Sequence, residues 1–405
     1  MVGNQQKLKI KILTTEPFPI GLAASNRIGT YAQGLSELGC DVTVGVMRAT
    51  ELPSQIFNKK KCGSINNFMF KYYGDKIILS NNIFRRKLDI LISNWDMCIS
   101  MLKEKKKDKT DVIIYYSSST SRALILFFIT RIKRILFLKE ESEFPFIYEN
   151  SKSFFSKILF RKIHYNLFDG YLFMTRKIIE YFTLEKKIKK PFLHVPMTVE
   201  YERFQNIKKS PGSCSYIAYC GTLNNDKDGV NILIEAFTQI AHSYPQLHLY
   251  LIGDAISSDE ERLYKKMVNE SQLNERVKFT GRIGKEEIPE LLCNAKILLL
   301  PRPESKQAEG GFPTKLGEYL STGNPVITTS VGEIPYYLKD GENVFLATPG
   351  SVDSLSQKIN EVFSDFSTSM AIAKKGQGVV LEHFNYKKQT KNIYSFIDEL
   401  KIIKN

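Results

Sequence analysis

Four stretches of the chain combine residue types that could hold an anionic ligand. In CGTLNNDKDG (220–229) a glycine follows an apolar run, and Lys227 lies six positions beyond Gly221, within reach of a phosphate presented where a helix begins. In EGGFPTKLGEYLSTGNPVI (309–327) paired glycines and Pro313 form a loop whose amides can face a ligand, and Thr314 with Lys315 begins a helix. Glu318 stands four residues after Thr314, so its carboxylate leaves the same helix face and is suited to accept hydrogen bonds from a ribose diol. FTGRIGKEEIP (279–289) sets Arg282 at the C-terminal end of a strand, where ligands of open α/β sheets collect. PFPIGLAASNRI (17–28) repeats the strand, glycine, helix pattern around Gly21 but lacks GxGxxG, so a tight turn explains it as well as a phosphate site. Asp226 and Asp228 form a D-x-D string that reads as capping and turn residues rather than a metal site.

The elements that must position these residues alternate between strand and helix. Strands are expected at 8–14, 41–46, 111–117, 170–175 and 192–196, with a helix over 26–38 and helical stretches between the later strands. The second half repeats the arrangement, with strands at 215–221, 247–253, 277–281, 297–301 and 325–329 and helices at 229–242, 259–271, 286–294, 314–321 and 352–363. Continuous apolar strands of this kind predict parallel sheets covered on both faces. Two α/β domains follow, over 1–205 and 206–382, with YERFQNIKKSPGS as a polar linker between them. The last segment, 383–405, has helical periodicity and is expected as a surface helix packing back toward the first domain. The cleft between two such domains is the default ligand site.

Composition narrows the class further. Of 405 residues 43% are hydrophobic, which is globular and excludes disordered and fibrous classes. No apolar run approaches the roughly 18 residues of a spanning helix. MVGNQQKLKIKILTTEPFP has no apolar signal-peptide core, so a cytoplasmic location is expected, peripheral at most on the inner membrane face. Six cysteines without CxxC or CxxH spacing read as small buried or half-buried fillers, and no metal site is expected. The formal charge of +14 is not evenly spread: residues 1–205 hold 34 Lys or Arg against 19 Asp or Glu, whereas 206–405 hold 23 against 24. The first half therefore faces an anionic partner, be it nucleic acid, lipid or a phosphorylated substrate. The runs KEKKKDK (103–109) and KKK (59–61) read as solvated loops.

Taken in order, GTLNNDKDGVNILIEAF, LIGD, VKFTGRIGKEEIPELLCNAKILLLP, FPTKLGEYLSTGNPVI and GEIPYYLKDGENVFL resemble the blocks of GT-B glycosyltransferases of the family-4 type. A thinner likeness runs through PFPIGLAASNRIGTYAQGLSELGCDVTV, DGYLFMT and VPMTVEYERF. The resemblance implies two Rossmann-like domains facing across a cleft and retaining transfer of a sugar from a nucleotide diphosphate, a UDP-sugar ahead of a GDP-sugar. It implies that Lys227 contacts the donor diphosphate and that Glu318 is the ribose-binding second glutamate of an E-x7-E motif. The arginine usually paired with that lysine falls on Thr222, so Lys315 or Arg302 would have to supply the charge. Glu309 precedes Glu318 by nine positions and Gly310 takes the expected place, so a one-residue insertion absorbed by the EGGF loop would return Glu309 to the donor sugar. Gly21, Gly221, Arg282, Gly311, Phe312, Pro313, Thr314 and Leu316 complete the implied donor set. The N-terminal histidine of many relatives has no match. In its region, EESEFPF, Glu143 is a candidate acceptor contact that also reads as an ordinary surface carboxylate.

The implied chemistry requires stabilisation of the leaving diphosphate by Lys227, loop amides and the helix start, without metal or cofactor, and needs no side-chain nucleophile. A nucleotide-sugar 2-epimerase shares the architecture but works through histidines and carboxylates, and His164, His194, His242, His248 and His383 all lie outside the blocks above. A nucleic-acid-binding protein is disfavoured because Phe127, Phe128, Phe137, Phe154 and Phe155 fall in apolar helical stretches. RALILFFITRIKRILFLK (122–139) and FFSKILFRKIHYNLF (154–168) are instead patterned as helices that either pack in the core or lie on anionic lipid. The lipid alternative would make the acceptor a lipid-linked glycan of capsule, O-antigen or exopolysaccharide assembly.

Overall fold

A computed structural model describes residues 7–145, 163–207 and 215–404. The chain divides into two compact units, Met1–Pro196 with Tyr386–Asn405, and Met197–Asn385.

Unit 1 is built on β1 (Lys9–Thr14), β2 (Asp41–Val46), β3 (Cys62–Ile65), β4 (Phe68–Tyr72), β5 (Val112–Tyr116), β6 (Leu136–Glu141), β7 (Gly170–Phe173) and β8 (Phe192–His194). Their order is β3-β4-β2-β1-β5-β6-β7-β8, parallel throughout except for the β3–β4 pair. The hairpin of β3 and β4 is legible only weakly in sequence, because Gly63 and the exposed Cys62 break the apolar run. Cys62 is therefore not the buried filler expected of it, whereas Cys40 and Cys293 are buried. Helices α1 (Ala23–Glu37), α2 (Ile83–Leu102) and α3 (Thr120–Lys133) cover the sheet.

The basic and apolar stretch 122–139 is not one helix. Helix α3 stops at Arg134, which takes a left-handed conformation at φ 52°, and the chain turns into β6 with Leu136, Phe137 and Leu138 buried between β5 and β7. Ala123, Leu126 and Ile129 face the core and Arg131 pairs with Asp169 at 2.7 Å, so the inner face of α3 is structural. The part of the second stretch over 154–162 lies outside the described residues, as does Cys214.

The terminal helix Tyr386–Lys404 belongs to unit 1 and packs on α1. It is more than a surface helix, since Ile393, Phe396, Ile397 and Leu400 join the core cluster of β1, β2 and β5. The division between units falls at Pro196 rather than at 205, and one side chain explains why. Arg27 on α1, 1% exposed, donates from Nη2 to the Val195 carbonyl and from Nη1 to the Pro196 carbonyl, both at 2.7 Å, and from Nε to Glu140 at 2.6 Å. Beyond this anchor the chain changes allegiance: Met197 and Val199 lie against Gly317, and Phe204 in the supposed linker is buried.

Unit 2 contains β9 (Ser215–Cys220), β10 (Leu247–Ile252), β11 (Val277–Gly281), β12 (Ile297–Leu300), β13 (Val326–Thr329) and β14 (Phe345–Ala347), all parallel, in the order β11-β10-β9-β12-β13-β14. Helices Val230–Ile240, Ser258–Glu270, Ile288–Asn294 and Thr314–Ser321 connect successive strands, as the 3.6-residue periodicity predicts. Short β14 and the helix Phe366–Val379 carry too little apolar patterning to stand out from sequence. Both sheets are α/β and doubly wound, and this strand order reverses at β9 and β12 in unit 2.

Replacing Arg27 by Ala would leave Glu140, 2% exposed, as a buried charge without its partner. A loss of roughly 3–5 kcal/mol is expected in urea unfolding, and a loss below about 1 kcal/mol would show that the pair is dispensable.

Candidate active site

In unit 2 the strand order reverses between β9 and β12, so the loops leaving these strands part and expose backbone at their C-terminal ends. The chain leaves β9 at Gly221, whose φ of +151° suits glycine and whose N–H donates to the Ile252 carbonyl at 2.8 Å. A Cβ here would stand 2.3 Å from Lys315 Nζ, and one on Gly253 would stand 2.0 Å from the Gly221 carbonyl oxygen. Only glycine lets these strands and the lysine approach so closely. The neighbouring loops are stitched together: Leu223 N–H donates to Asp254 O at 2.9 Å, Ile256 N–H to Leu223 O at 3.0 Å, and Arg282 N–H to Asp254 Oδ1 at 3.0 Å.

Beneath Gly221 lies Asp228, a residue read from sequence as a cap or turn. It is instead a buried anion, 2% exposed, at the end of the short helix Asn225–Asp228. Lys315 Nζ donates to Asp228 Oδ2 at 2.7 Å and to the Tyr219 hydroxyl at 2.8 Å; that hydroxyl in turn is 2.8 Å from Asp228 Oδ2 and from the Thr222 carbonyl. Arg302, equally buried, approaches Asp228 Oδ1 at 4.0 Å. Burial opposes ionisation of Asp228, but Lys315 and Arg302 outweigh it and hold the carboxyl below its usual range. Two cations thus face this carboxylate behind Gly221.

The helix Thr314–Ser321 begins after Pro313 without a side-chain cap, so its first amides and positive dipole end meet whatever lies before them. Glu318 on this helix is half-buried, and its Oε1 is 3.5 Å from Arg203 Nη1. Arg203 Nη2 also donates to the Lys285 carbonyl at 2.8 Å. Burial raises the Glu318 carboxyl above its usual range, against the pull of Arg203 and Lys285. Next to it, the Tyr319 hydroxyl accepts from Cys220 N–H at 2.6 Å and lies 3.1 Å from the Cys220 carbonyl, tying this helix to the end of β9.

Gly221, Thr222, Lys227, Thr314, Lys315 and Glu318 thus gather at the C-terminal edge of one sheet, and Arg282 lies on the same edge, exposed, after β11. Lys227 is half-buried, with its N–H capped by Asn224 Oδ1 at 2.7 Å. Several expected contacts are limited or removed by packing. Phe312 is 3% exposed, stacked on Tyr337 and edge-on to Phe384, and Leu316 is fully buried, so neither side chain is available to a donor. Gly311 spends its N–H on the Gln307 carbonyl at 3.1 Å, and Pro313 has none to offer. Glu309 is exposed on the helix Lys306–Gly310, not carried on an open EGGF loop, and Gly310 is buried beside it.

Gly21 lies in unit 1, where Ser25 Oγ donates to the Pro17 carbonyl at 2.5 Å and a Cβ on Gly21 would collide with that hydroxyl; the glycine is required by its own turn. Glu143 follows β6 at the C-terminal edge of the unit 1 sheet and is half-buried. Glu16, after β1, is raised above its usual range by burial, lowered by Arg48 and raised again by Glu143, so the two carboxylates share one field. Among the described residues no group of three His, Cys, Asp or Glu side chains is gathered to hold a metal ion.

Arg203, Tyr219 and Tyr319 carry no local signal in the sequence. Arg203 lies 115 positions from its partner Glu318, and no local pattern links them. The tyrosine hydroxyls sit in runs that look simply apolar.

Residues 214–365 match the family model of glycosyl transferases group 1, and this segment is a glycosyltransferase domain. A curated relative is WcaL of Salmonella typhimurium, a glycosyltransferase ascribed to colanic acid biosynthesis, 24% identical over 208 residues that cover 50% of each chain. The chain spans about half the length of the curated relatives it matches. Among solved structures, sucrose-phosphate synthase from Thermosynechococcus elongatus superposes with TM-score 0.76 at 16% identity, covering 98% of this chain and 100% of that one. HepE of Anabaena, in complex with UDP and glucose, gives TM-score 0.71 at 16% identity over 96% and 99% of the two chains. The fold is that of the GT-B glycosyltransferases.

Because Asp228 titrates lower in the folded chain, it contributes stability that is present above the ordinary aspartate pKa, about 3.9, and is lost as pH falls through the depressed folded value. Asp228→Asn should cost about 3 kcal/mol at pH 7 and progressively less toward pH 3. Urea unfolding of both proteins at the two pH values checks this, and a pH-independent difference would contradict it.

Proposed function

We propose that this chain is a retaining glycosyltransferase that moves a sugar from a nucleotide diphosphate, a UDP-sugar ahead of a GDP-sugar, to a saccharide or lipid-linked glycan acceptor. The process would be assembly of a bacterial surface polysaccharide such as capsule, O-antigen or exopolysaccharide, at an anionic membrane face. The observation that carries the reading is the pairing, at the switch point of the group 1 domain, of an uncapped helix start with a carboxylate four residues on. The first can receive a diphosphate and the second a ribose diol. The HepE complex with UDP and glucose and the name of WcaL support the substrate classes.

In this reading the helix amides at Thr314 and Lys315 receive the diphosphate, Lys227 neutralises charge growing on it as the anomeric bond breaks, and Gly221 allows backbone to approach. Lys315 and Arg302 add field from behind rather than direct contact, since Asp228 engages them. Glu318, oriented by Arg203, accepts from the ribose hydroxyls. Glu309 remains the proposed contact to the donor sugar, and Glu143 with Glu16 the acceptor-side pair. The acceptor hydroxyl attacks from the face the leaving group departs, with a diphosphate oxygen taking its proton, so no side-chain nucleophile is assigned.

Thermal shift with UDP, GDP and ADP sugars tests the reading, and stabilisation by none of them would overturn it. Glu318→Ala should weaken nucleotide binding by roughly 10- to 100-fold, and Lys227→Ala should lower kcat more than it raises KM. Since the Glu318 carboxyl is raised, nucleotide affinity should fall as pH drops toward 5 in the parent and stay flat in Glu318→Ala. A titration calorimetry series from pH 8 to 5 reads that difference.

A further inference from the structure

Helix α2 in unit 1 is built inside out. Of its 20 residues only Ser93, Met97 and Met101 are buried. Phe84, Leu88, Leu91 and Trp95 recur at i, i+4, i+7 and i+11, one face of a helix, and are 81%, 54%, 63% and 70% exposed. An ordinary surface helix turns such a stripe to the core. Here polar contacts hold much of the other side: Asp89 takes a hydrogen bond from Lys76 at 2.9 Å, Asp96 from Gly74 N–H at 2.8 Å, and Asn94 from Arg122 Nε at 2.8 Å.

The charges around the stripe are cationic. At about 100° per residue Arg85 and Lys87 fall on opposite flanks of it. At its C-terminal end Leu102 is 46% exposed and its carbonyl accepts from Lys133 Nζ at 2.8 Å. The exposed Lys103, Lys105, Lys106 and Lys107 follow directly, so the run read from sequence as a solvated loop borders the apolar face.

We infer that this face of α2 docks unit 1 onto an anionic lipid surface. Large apolar side chains would enter the boundary between headgroups and acyl chains while flanking lysines and arginines meet lipid phosphates. Among the described residues no helix is long and apolar enough to cross a membrane, so the helix lies on the surface. A second copy is a poorer occupant, because a two-fold contact through this stripe would bring its basic flanks against the same basic flanks. The inference deepens the reading of a membrane-borne acceptor and relocates it from α3, whose inner face is core, to α2.

The chain's single tryptophan is Trp95, so its emission reports this face alone. The full chain titrated with phosphatidylglycerol-containing vesicles should show Trp95 emission moving to shorter wavelength, an effect that weakens with added salt. Phosphatidylcholine vesicles should leave it unchanged. Phe84→Glu with Leu88→Glu should weaken vesicle binding at least about tenfold, and Arg85→Glu with Lys87→Glu should remove the preference for phosphatidylglycerol. No shift with anionic vesicles, an equal shift with phosphatidylcholine, or a shift that grows with protein concentration without lipid would overturn the proposal, the last in favour of a second copy. Nucleotide thermal shifts on the same variants should match the parent. If the parent responds to no nucleotide but keeps the vesicle signal, the sugar-transfer reading falls and the docking proposal stands.

Discussion

The buried carboxylate of Asp228 is the constraint on which the arrangement of unit 2 depends. A charge removed from water must be met by opposite charge and hydrogen bonds, and here Lys315, Arg302 and the Tyr219 hydroxyl converge on it. Each comes from a different element: Tyr219 from β9, Arg302 from beyond β12, Lys315 from the helix Thr314–Ser321. Satisfying one anion therefore sets the positions of three connections around the place where the strand order reverses. Gly221 completes the packing, because the lysine reaches Asp228 through the space a Cβ would occupy.

This arrangement places two cations near a strand end of a largely neutral domain. Formal charge over 206–405 is near zero, yet two cations against one anion sit just behind exposed backbone at a strand end. Backbone amides and a helix start need little reorganisation to receive an anion, since they are already held by the sheet. Glu318, beside them, is kept from its normal titration range by burial and steadied by Arg203, so the site pairs an anion-receiving end with a hydrogen-bond acceptor. Tyr319 ties the same helix to Cys220 and so couples acceptor and backbone in one rigid piece.

Unit 1 solves a different problem with the same sheet type. At the strand ends of its sheet stand carboxylates, Glu16 after β1, raised chiefly by burial, and Glu143 after β6. Part of its excess charge lies on α2 and the lysines after it, around the face where apolar side chains remain in water. The two features belong together physically: uncovered apolar area is unfavourable alone, and cations around it favour an anionic, partly apolar partner over self-association.

Strand and helix alternation, the parallel sheets, the place of Gly221 after a strand and that of Lys315 and Glu318 on a helix were legible in the sequence. Each rests on local spacing, period 2 or 3.6 and glycine after a strand, which the backbone expresses within a few residues. The turn from α3 into β6 was not legible, because Arg134 and Ile135 interrupt neither the charge nor the apolar pattern. Nor was the burial of Phe312 and Leu316, the engagement of Lys315 by Asp228, or the partnership of Arg203 with Glu318. Those depend on residues brought together across 87 or 115 positions. The sequence by itself determined the class of fold and the composition of its strand ends. Only the tertiary structure decided which charges are spent on one another, because in low dielectric a side chain's role is set by its nearest partner and not by its place in the chain.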